Sequence, residues 1–345
     1  MSTYALIADL PLQIEGHEFE RLEHEVSPEF TRVTTVLHLR GAGEEGLGED
    51  VIYSGDDHER FRGPGASLPL AGGWTIDSFS RHLDGLDLFP QPPGMPAFRD
   101  YRRWAFESAA LDLALRQAGT SLADAVGRTA RPLRFVVSTR SSLEHLRRLL
   151  DVHPNTRFKL DPVPDWTPEL VGELAGLGRV DTLDLKGQYK GTIVDNPADP
   201  VLYQLVAEAF PGAWIEDPAL TAETEPVLEP HRDRITWDAP IHSVADVEAL
   251  AFPPRTINIK PSRFGSLRRL CETYDYCAER GIGMYGGGQF ELGVGRGQIQ
   301  YLASIFHPDM PNDVAPGGYN LSPLDPDLPE SPLELTAAAP GFRWE

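Results

Sequence analysis

Cysteine is scarce in this chain, with two residues in 345, and that excludes a disulfide-stapled scaffold. Cys271 and Cys277 lie six apart in a stretch of helical spacing, so they face different ways and are expected as reduced thiols. Basic residues are in the minority, 31 Lys+Arg against 52 Asp+Glu for a formal charge of -21, which argues against nucleic-acid backbones and anionic membrane surfaces as partners. No apolar run reaches the roughly 18 residues that a spanning helix needs. The opening MSTYALIADLPLQIEG has neither the basic nor the apolar region of a signal peptide, so a cytoplasmic location is expected. What is present is ordinary for a foldable chain: 41% hydrophobic residues over a length that suits one large domain or two of moderate size.

The texture changes near residue 130. Before it, the β-branched stretch Arg32–Leu39 is followed by the glycine-rich turn Gly41–Gly46 and a second short run near Val51, the pattern of a small antiparallel sheet. A helix is expected from Tyr101 to Ala118; its apolar positions cover most of its circumference, so it should be buried. Beyond residue 130, β-rich runs alternate with segments whose leucines and valines step by three or four. The expected strands are Arg134–Ser138, Arg157–Leu160, Thr182–Leu185, Ala213–Glu216, Ile235–Asp238, Thr256–Lys260, Gly283–Tyr285 and a weak eighth near Asp313. Eight strands alternating with helices give an α/β class, a (β/α)8 TIM-type barrel, with an open doubly wound sheet as the other arrangement. The proline-rich tail from Ser322 cannot be regular helix and is expected to return to the N-terminal part.

Five of these strands finish on an ionisable residue: Lys159, Asp184, Glu216, Asp238 and Lys260. A charge closing an apolar strand is costly unless it is paired or ligates something, and catalytic groups of a barrel sit at the C-terminal strand ends. Asp184, Glu216 and Asp238 come from three successive strands. Three converging carboxylates repel one another unless a divalent cation neutralises them, and an all-oxygen donor set favours a hard ion such as Mg²⁺ over Zn²⁺. Lys159 and Lys260 fall on the second and sixth strands, opposite each other in an eight-strand barrel, so a bound substrate would meet one amine on each face. Such a site suits removal of a proton from the carbon next to a carboxylate, since a metal can hold the resulting enediolate and a desolvated lysine can act as base.

These residues resemble the enolase superfamily, in particular its muconate-lactonizing/o-succinylbenzoate synthase branch. The most specific stretch is 257–304, where INIKPSRFG, a Gly-Gly loop and ELGVGRG follow one another as in that branch; WIEDP and TWDAP are similar to its metal-ligand strands, and Arg157-Phe-Lys159 to its basic-x-Lys pair. The resemblance implies a capping domain over residues 1–130, a barrel over 131–322 and a tail over 323–345 that completes the cap. It implies Lys159 and Lys260 as the acid/base pair and Asp184, Glu216 and Asp238 as ligands of Mg²⁺, or alternatively Mn²⁺. Substrate contacts are expected from Arg157, Lys186, Gly287, Gly288 and Glu291. The expected partner is a small-molecule carboxylate, with assembly into a homo-oligomer left open. Dehydration as in o-succinylbenzoate synthase, racemisation or epimerisation, and muconate-type cycloisomerisation share this machinery, and a non-catalytic carboxylate-binding barrel is the reading from another class.

One departure stands out. Where the family commonly has Asp-x-Asn after the third strand, this chain has Asp184-Leu-Lys186, and residues two apart on a strand share a side, which puts a third lysine beside the ligands. The eighth strand also lacks the Asp-x-Asp that dipeptide epimerases use for a substrate amine. Gly286–Gly288 and Gly293–Gly297 match neither a dinucleotide fingerprint nor a P-loop, and are read instead as close backbone approach at a helix N-terminus that would welcome an anionic substrate group. His17, His24, Arg21 and Tyr53 are surface residues or, if their stretch closes over the barrel, substrate contacts.

Overall fold

Threonine and valine crowd the stretch after Phe30, and β-branched side chains favour the pleated backbone. The computed structural model describes residues 2–63, 68–192, 194–321, 323–334 and 339–343. Its N-terminal part contains β1 (Pro11–Ile14), β2 (Gly16–Ser27), β3 (Phe30–Gly41), β4 (Glu44–Asp50) and β5 (Gly72–Thr75). Strands β2, β3 and β4 form an antiparallel sheet in that order, and β1 pairs with β5. Strand β2 carried no clear signal because GHEFERLEHEVS is charged on both faces and no residue of it is fully buried. It is held by backbone pairing to the buried β3.

The helix Phe98–Gln117 packs across this sheet, buried along nearly its whole length. Close approach is possible because β4 presents glycine to it. A Cβ on Gly48 would stand 2.0 Å from the Ala105 carbonyl oxygen, and one on Gly46 2.3 Å from that of Ala109. The fully buried Arg102 of the helix donates to Asp50 at the end of β4 at 2.7 Å and to two backbone carbonyls, so its charge is paired and its donors are used.

Seven parallel strands follow: β6 (Val137–Thr139), β7 (Phe158–Leu160), β8 (Val180–Asp184), β9 (Trp214–Glu216), β10 (Ile235–Trp237), β11 (Thr256–Ile259) and β12 (Gly283–Gly286). They lie side by side in chain order, and the helices between them open on N-caps the sequence supplies, among them Ser142, Thr167, Asp199, Ser243 and Ser266. The eighth position is not a regular strand. Asn312 forms a parallel bridge with Phe135 beside β6, and Asp313 forms one with Gly287 beyond β12, so two residues join the two edges of the sheet. This curled α/β sheet with its antiparallel cap is the TIM-type barrel architecture expected from the alternating pattern.

Asn312 makes this short closure possible. Its side-chain amide donates to the carbonyls of Arg134, His307 and Met310, while its oxygen accepts the Gly286 N–H at 2.6 Å and pairs with His307 Nδ1 at 2.7 Å. The tail also has fixed contacts. Leu333 bridges Leu133, Gly341 bridges Ser121, and Phe342 and Arg343 both engage Asp112 of the long helix. Among the described residues no helix is long and apolar enough to cross a membrane.

Burial lowers the pKa of His307 to about 4, and its Nε2 has no partner, so the folded protein holds a neutral imidazole. The unfolded chain takes up a proton near pH 6.5 that the folded chain refuses until about 4, so stability is full above pH 6.5 and is lost as the pH falls from there towards 4. The expected loss is about 3 kcal/mol. The wild-type minus His307→Gln difference in the change of urea-unfolding free energy between pH 7.5 and 4.5 measures it, because the comparison cancels buried carboxyls such as Asp217 that titrate in the opposite sense.

Candidate metal centre and active site

Strand alternation builds the site. Lys159 lies level with Thr182 on the neighbouring strand, Asp184 with Glu216, Glu216 with Thr236, and Asn258 with Tyr285. Residues two further along point to the same side, so Asp184, Asp238, Lys260 and Gly287 join that inner face at the C-terminal strand ends. Asp184, Glu216 and Asp238 each offer an oxygen within 4.8 Å of the others, and all three are buried.

Each carboxylate is met by cations or hydroxyls. Lys159 Nζ contacts Glu216 Oε1 and lies 3.1 Å from Asp184 Oδ2 and 3.3 Å from Asp313 Oδ2. Lys186 Nζ contacts Asp184 Oδ2, and the Lys186 N–H donates to Asp184 Oδ1 at 3.2 Å. Tyr285 donates to Glu216 Oε2, which also accepts from Asn258. Asp238 accepts from Arg263 at 2.6 Å, from the Tyr189 hydroxyl at 2.8 Å, and pairs with Lys260 Nζ at 2.9 Å. Behind it, Asp217 accepts the backbone N–H groups of Asp238 and Ala239, both at 2.8 Å.

These contacts divide the acids electrostatically. Burial alone would raise Asp184, but Lys186 and Lys159 outweigh it and hold the carboxyl below its usual range; Arg263 and Lys260 do the same for Asp238. Glu216 goes the other way, because burial together with Asp184 and Asp238 exceeds what Lys159 returns. Asp217, buried beside Asp238 and Asp184, is pushed up to about 7. Burial would lower Lys159, yet Glu216, Asp184 and Asp313 hold its proton firmly. The lowered lysine expected of a base is thus not what these neighbours produce on their own.

The donor set fits a hard divalent ion: three carboxylates, no sulfur or imidazole, and a position between Asp184 and Glu216 where the ammonium of Lys159 already stands as a cation. Asp184, Glu216 and Asp238 would hold the ion.

The five strand-end residues come together, and Lys186 joins them. Gly287 lies against Lys260, where a Cβ would stand 2.7 Å from its Cε. Gly288 is close to Glu291, whose Oε1 accepts the Gln289 N–H at 2.6 Å and whose other oxygen lies 3.2 Å from Arg296. Arg157 is not brought to the cluster. Its guanidinium is bound twice by Asp181 at the start of β8 and also reaches the Gly178 carbonyl, towards the other end of the strands. The helix N-terminus read as an anion site is taken from within: Glu49 accepts from the N–H groups of Leu292, Gly293 and Gly295, with Leu292 at 2.7 Å. Its neighbour Arg32 donates to the carbonyls of Val51, Ile52, Gln289 and Phe290. His24 packs edge-on to Phe290, whereas His17 lies against Phe19 and Arg21 pairs with Glu23 and Glu59. Tyr53 lies beneath Arg32, 4.4 Å from its ring centre.

Tyr189, Arg263, Tyr285, Asn258, Asp217 and Asp313 were not expected. Asp217 stands in the WIEDP motif and Arg263 in IKPSR, beside residues already singled out, and alternation from Lys260 reaches Asn258. Tyr189 sits in a loop and carries no such signal.

Residues 5–125 match the family model described as Domain of unknown function (DUF8230) N-terminal domain, and residues 129–321 the DUF8230 C-terminal domain. Among curated proteins, the o-succinylbenzoate synthase of Geobacillus stearothermophilus is 27% identical over 224 residues, which span 61% of this chain and 58% of that protein. The chain thus aligns with less than two thirds of that relative. Among solved structures, muconate cycloisomerase from Pseudomonas fluorescens aligns with a TM-score of 0.69 at 19% identity, covering 97% of this chain and 96% of the other. Dipeptide epimerase from Methylococcus capsulatus, solved with a Mg ion, gives 0.64 at 21% identity over 89% and 94%. The likeness is to lyases and isomerases of the enolase superfamily, and the fold is theirs.

If Arg157 serves only Asp181, Arg157→Gln should cost less than about 1 kcal/mol, as expected for a partly exposed pair, and leave divalent-cation binding unchanged. Isothermal titration with Mg²⁺ and thermal unfolding check both; a loss of ligand binding without a loss of stability would return Arg157 to the site.

Proposed function

We propose, for a chain that belongs to the DUF8230 family and carries the enolase-superfamily fold, that it is a Mg²⁺-dependent enzyme abstracting the α-proton of a small carboxylate. The observation that carries this reading is the convergence of Asp184, Glu216 and Asp238 between two buried lysines, Lys159 and Lys260, from opposite sides of the barrel. Asp184, Glu216 and Asp238 would hold Mg²⁺, or Mn²⁺ in its place, which would supply positive charge beside a substrate carboxylate.

Lys159 and Lys260 have different settings. Lys159 is 1% exposed and its proton is held by Glu216 and Asp184. With those two charges neutralised, burial would lower the amine towards the range of a base, opposed by Asp313 at 3.3 Å. Lys260 stays paired with Asp238 at 2.9 Å and is the group to balance the developing charge or return a proton on the opposite face. Arg263 and Tyr189 fix the Asp238 carboxylate, and Asn258 and Tyr285 fix Glu216, so the oxygens need little reorganisation during reaction. Loss of a β-leaving group would make the outcome o-succinylbenzoate synthase-like dehydration. Return of the proton would make it racemisation or epimerisation, and ring closure or opening a cycloisomerisation. The second reading, a non-catalytic carboxylate-binding barrel, draws on the cations already seated on Asp184 and Asp238.

Proton exchange tests the proposal. Incubation in D₂O with Mg²⁺ and a panel of N-acyl amino acids, dipeptides, sugar acids, muconolactone and the o-succinylbenzoate precursor should show deuterium entering the α-carbon by NMR, and EDTA should abolish it. Lys159→Ala should lower exchange by about 10²-fold or more while ion binding persists. Glu216→Gln should weaken ion binding itself. Indifference of the wild type to Mg²⁺ across the panel would favour the binding barrel.

A further inference from the structure

Asp184 is shared by two ammonium groups, and one of them has a second acceptor at hand. Lys186 Nζ contacts Asp184 Oδ2 and lies 3.8 Å from Asp161 Oδ1. Asp161 has a side chain 8% exposed; Arg140 holds its Oδ2 at 2.7 Å, while Oδ1 is buried with no hydrogen-bond partner. A buried carboxylate oxygen without a donor is costly, so an unfilled acceptor stands beside a movable cation.

The surrounding backbone leaves the side chain as the moving part. Lys186 has a φ of 56°, a conformation disfavoured for a residue with a Cβ, and it is fixed by its own N–H on Asp184. Gly187 donates to the Asp217 carbonyl at 2.8 Å and lies so close to Ala219 that a Cβ would stand 2.3 Å from its nitrogen. Rotation about the lysine's side-chain bonds is enough to carry the ammonium from one carboxylate to the other.

We infer that Lys186 and a divalent cation compete for Asp184, and that Asp161 receives the ammonium when the ion takes its place. The pair Lys186–Asp161 then sets how tightly the centre holds its ion, a positioning role exerted through Asp184. This rests on the reading of the triad as a divalent-cation site.

The test is titration of the purified full chain with MgCl₂ and with MnCl₂, by calorimetry and by the Mn²⁺ electron-spin signal. Lys186→Gln should bind both ions at least about tenfold more tightly than the wild type, and Lys186→Arg should bind like the wild type. Asp161→Asn removes the landing charge and should weaken binding several-fold in the wild-type background, yet change little beside Lys186→Gln. Equal or weaker binding by Lys186→Gln overturns the inference, as does an Asp161→Asn effect that is the same in both backgrounds. If folded wild type and folded Lys186→Gln both fail to bind either ion, the cation-site reading falls and the competition with it. Binding by the wild type without the lysine effect removes the competition alone.

Discussion

Like charges buried together are the constraint on which this barrel depends. Asp184, Glu216 and Asp238 are all buried at adjoining strand ends, and none could remain there as isolated anions. Lys159, Lys186, Lys260 and Arg263 are placed accordingly, each in contact with at least one of the three acids. The electrostatic split follows from how the cations are distributed. Asp184 and Asp238 receive two cations each and stay anionic; Glu216 has only Lys159 and is driven towards its protonated form. These four cations are what allow the three acids to be buried together.

Much of this was legible from residue order because parallel strands impose a simple grammar. A strand that runs apolar and finishes on a charge announces its C-terminal end, and period-two alternation fixes which residues share a face. That is why Asp184, Glu216, Asp238, Lys159 and Lys260 were found together. The same rule failed for Arg157, which has the parity of Lys159 in sequence but is separated from it by a register shift between Phe158 and Lys159, and which pairs with Asp181, a residue of the opposite parity to Asp184. Parity holds only where the register is unbroken. The long strand β2 was missed for a related reason, since its alternation is charged on charged and only its partner strand reveals it.

The closing position of the barrel was faint in sequence because it is faint in structure. Two bridging residues do the work of a strand, and the specificity comes from one asparagine that satisfies three carbonyls and an N–H at once. No hydrophobic pattern encodes such a device. The reading of the glycine-rich loop has a similar limit: the loop does lead into a helix N-terminus, but the group accepting from it is the Glu49 carboxyl, supplied by β4 across more than 240 residues of chain. Long-range partners of this kind are invisible to local pattern.

The docking of Arg32 has an evolutionary corollary. Its guanidinium grips the 289–290 loop entirely through main-chain oxygens, and the Phe290 side chain stays 38% exposed. A clamp that reads only backbone is blind to which side chains it holds. Position 290 can therefore change its exposed side chain while the grip on its carbonyl is kept, whereas Gln289 is tied down by its own side chain on Tyr101.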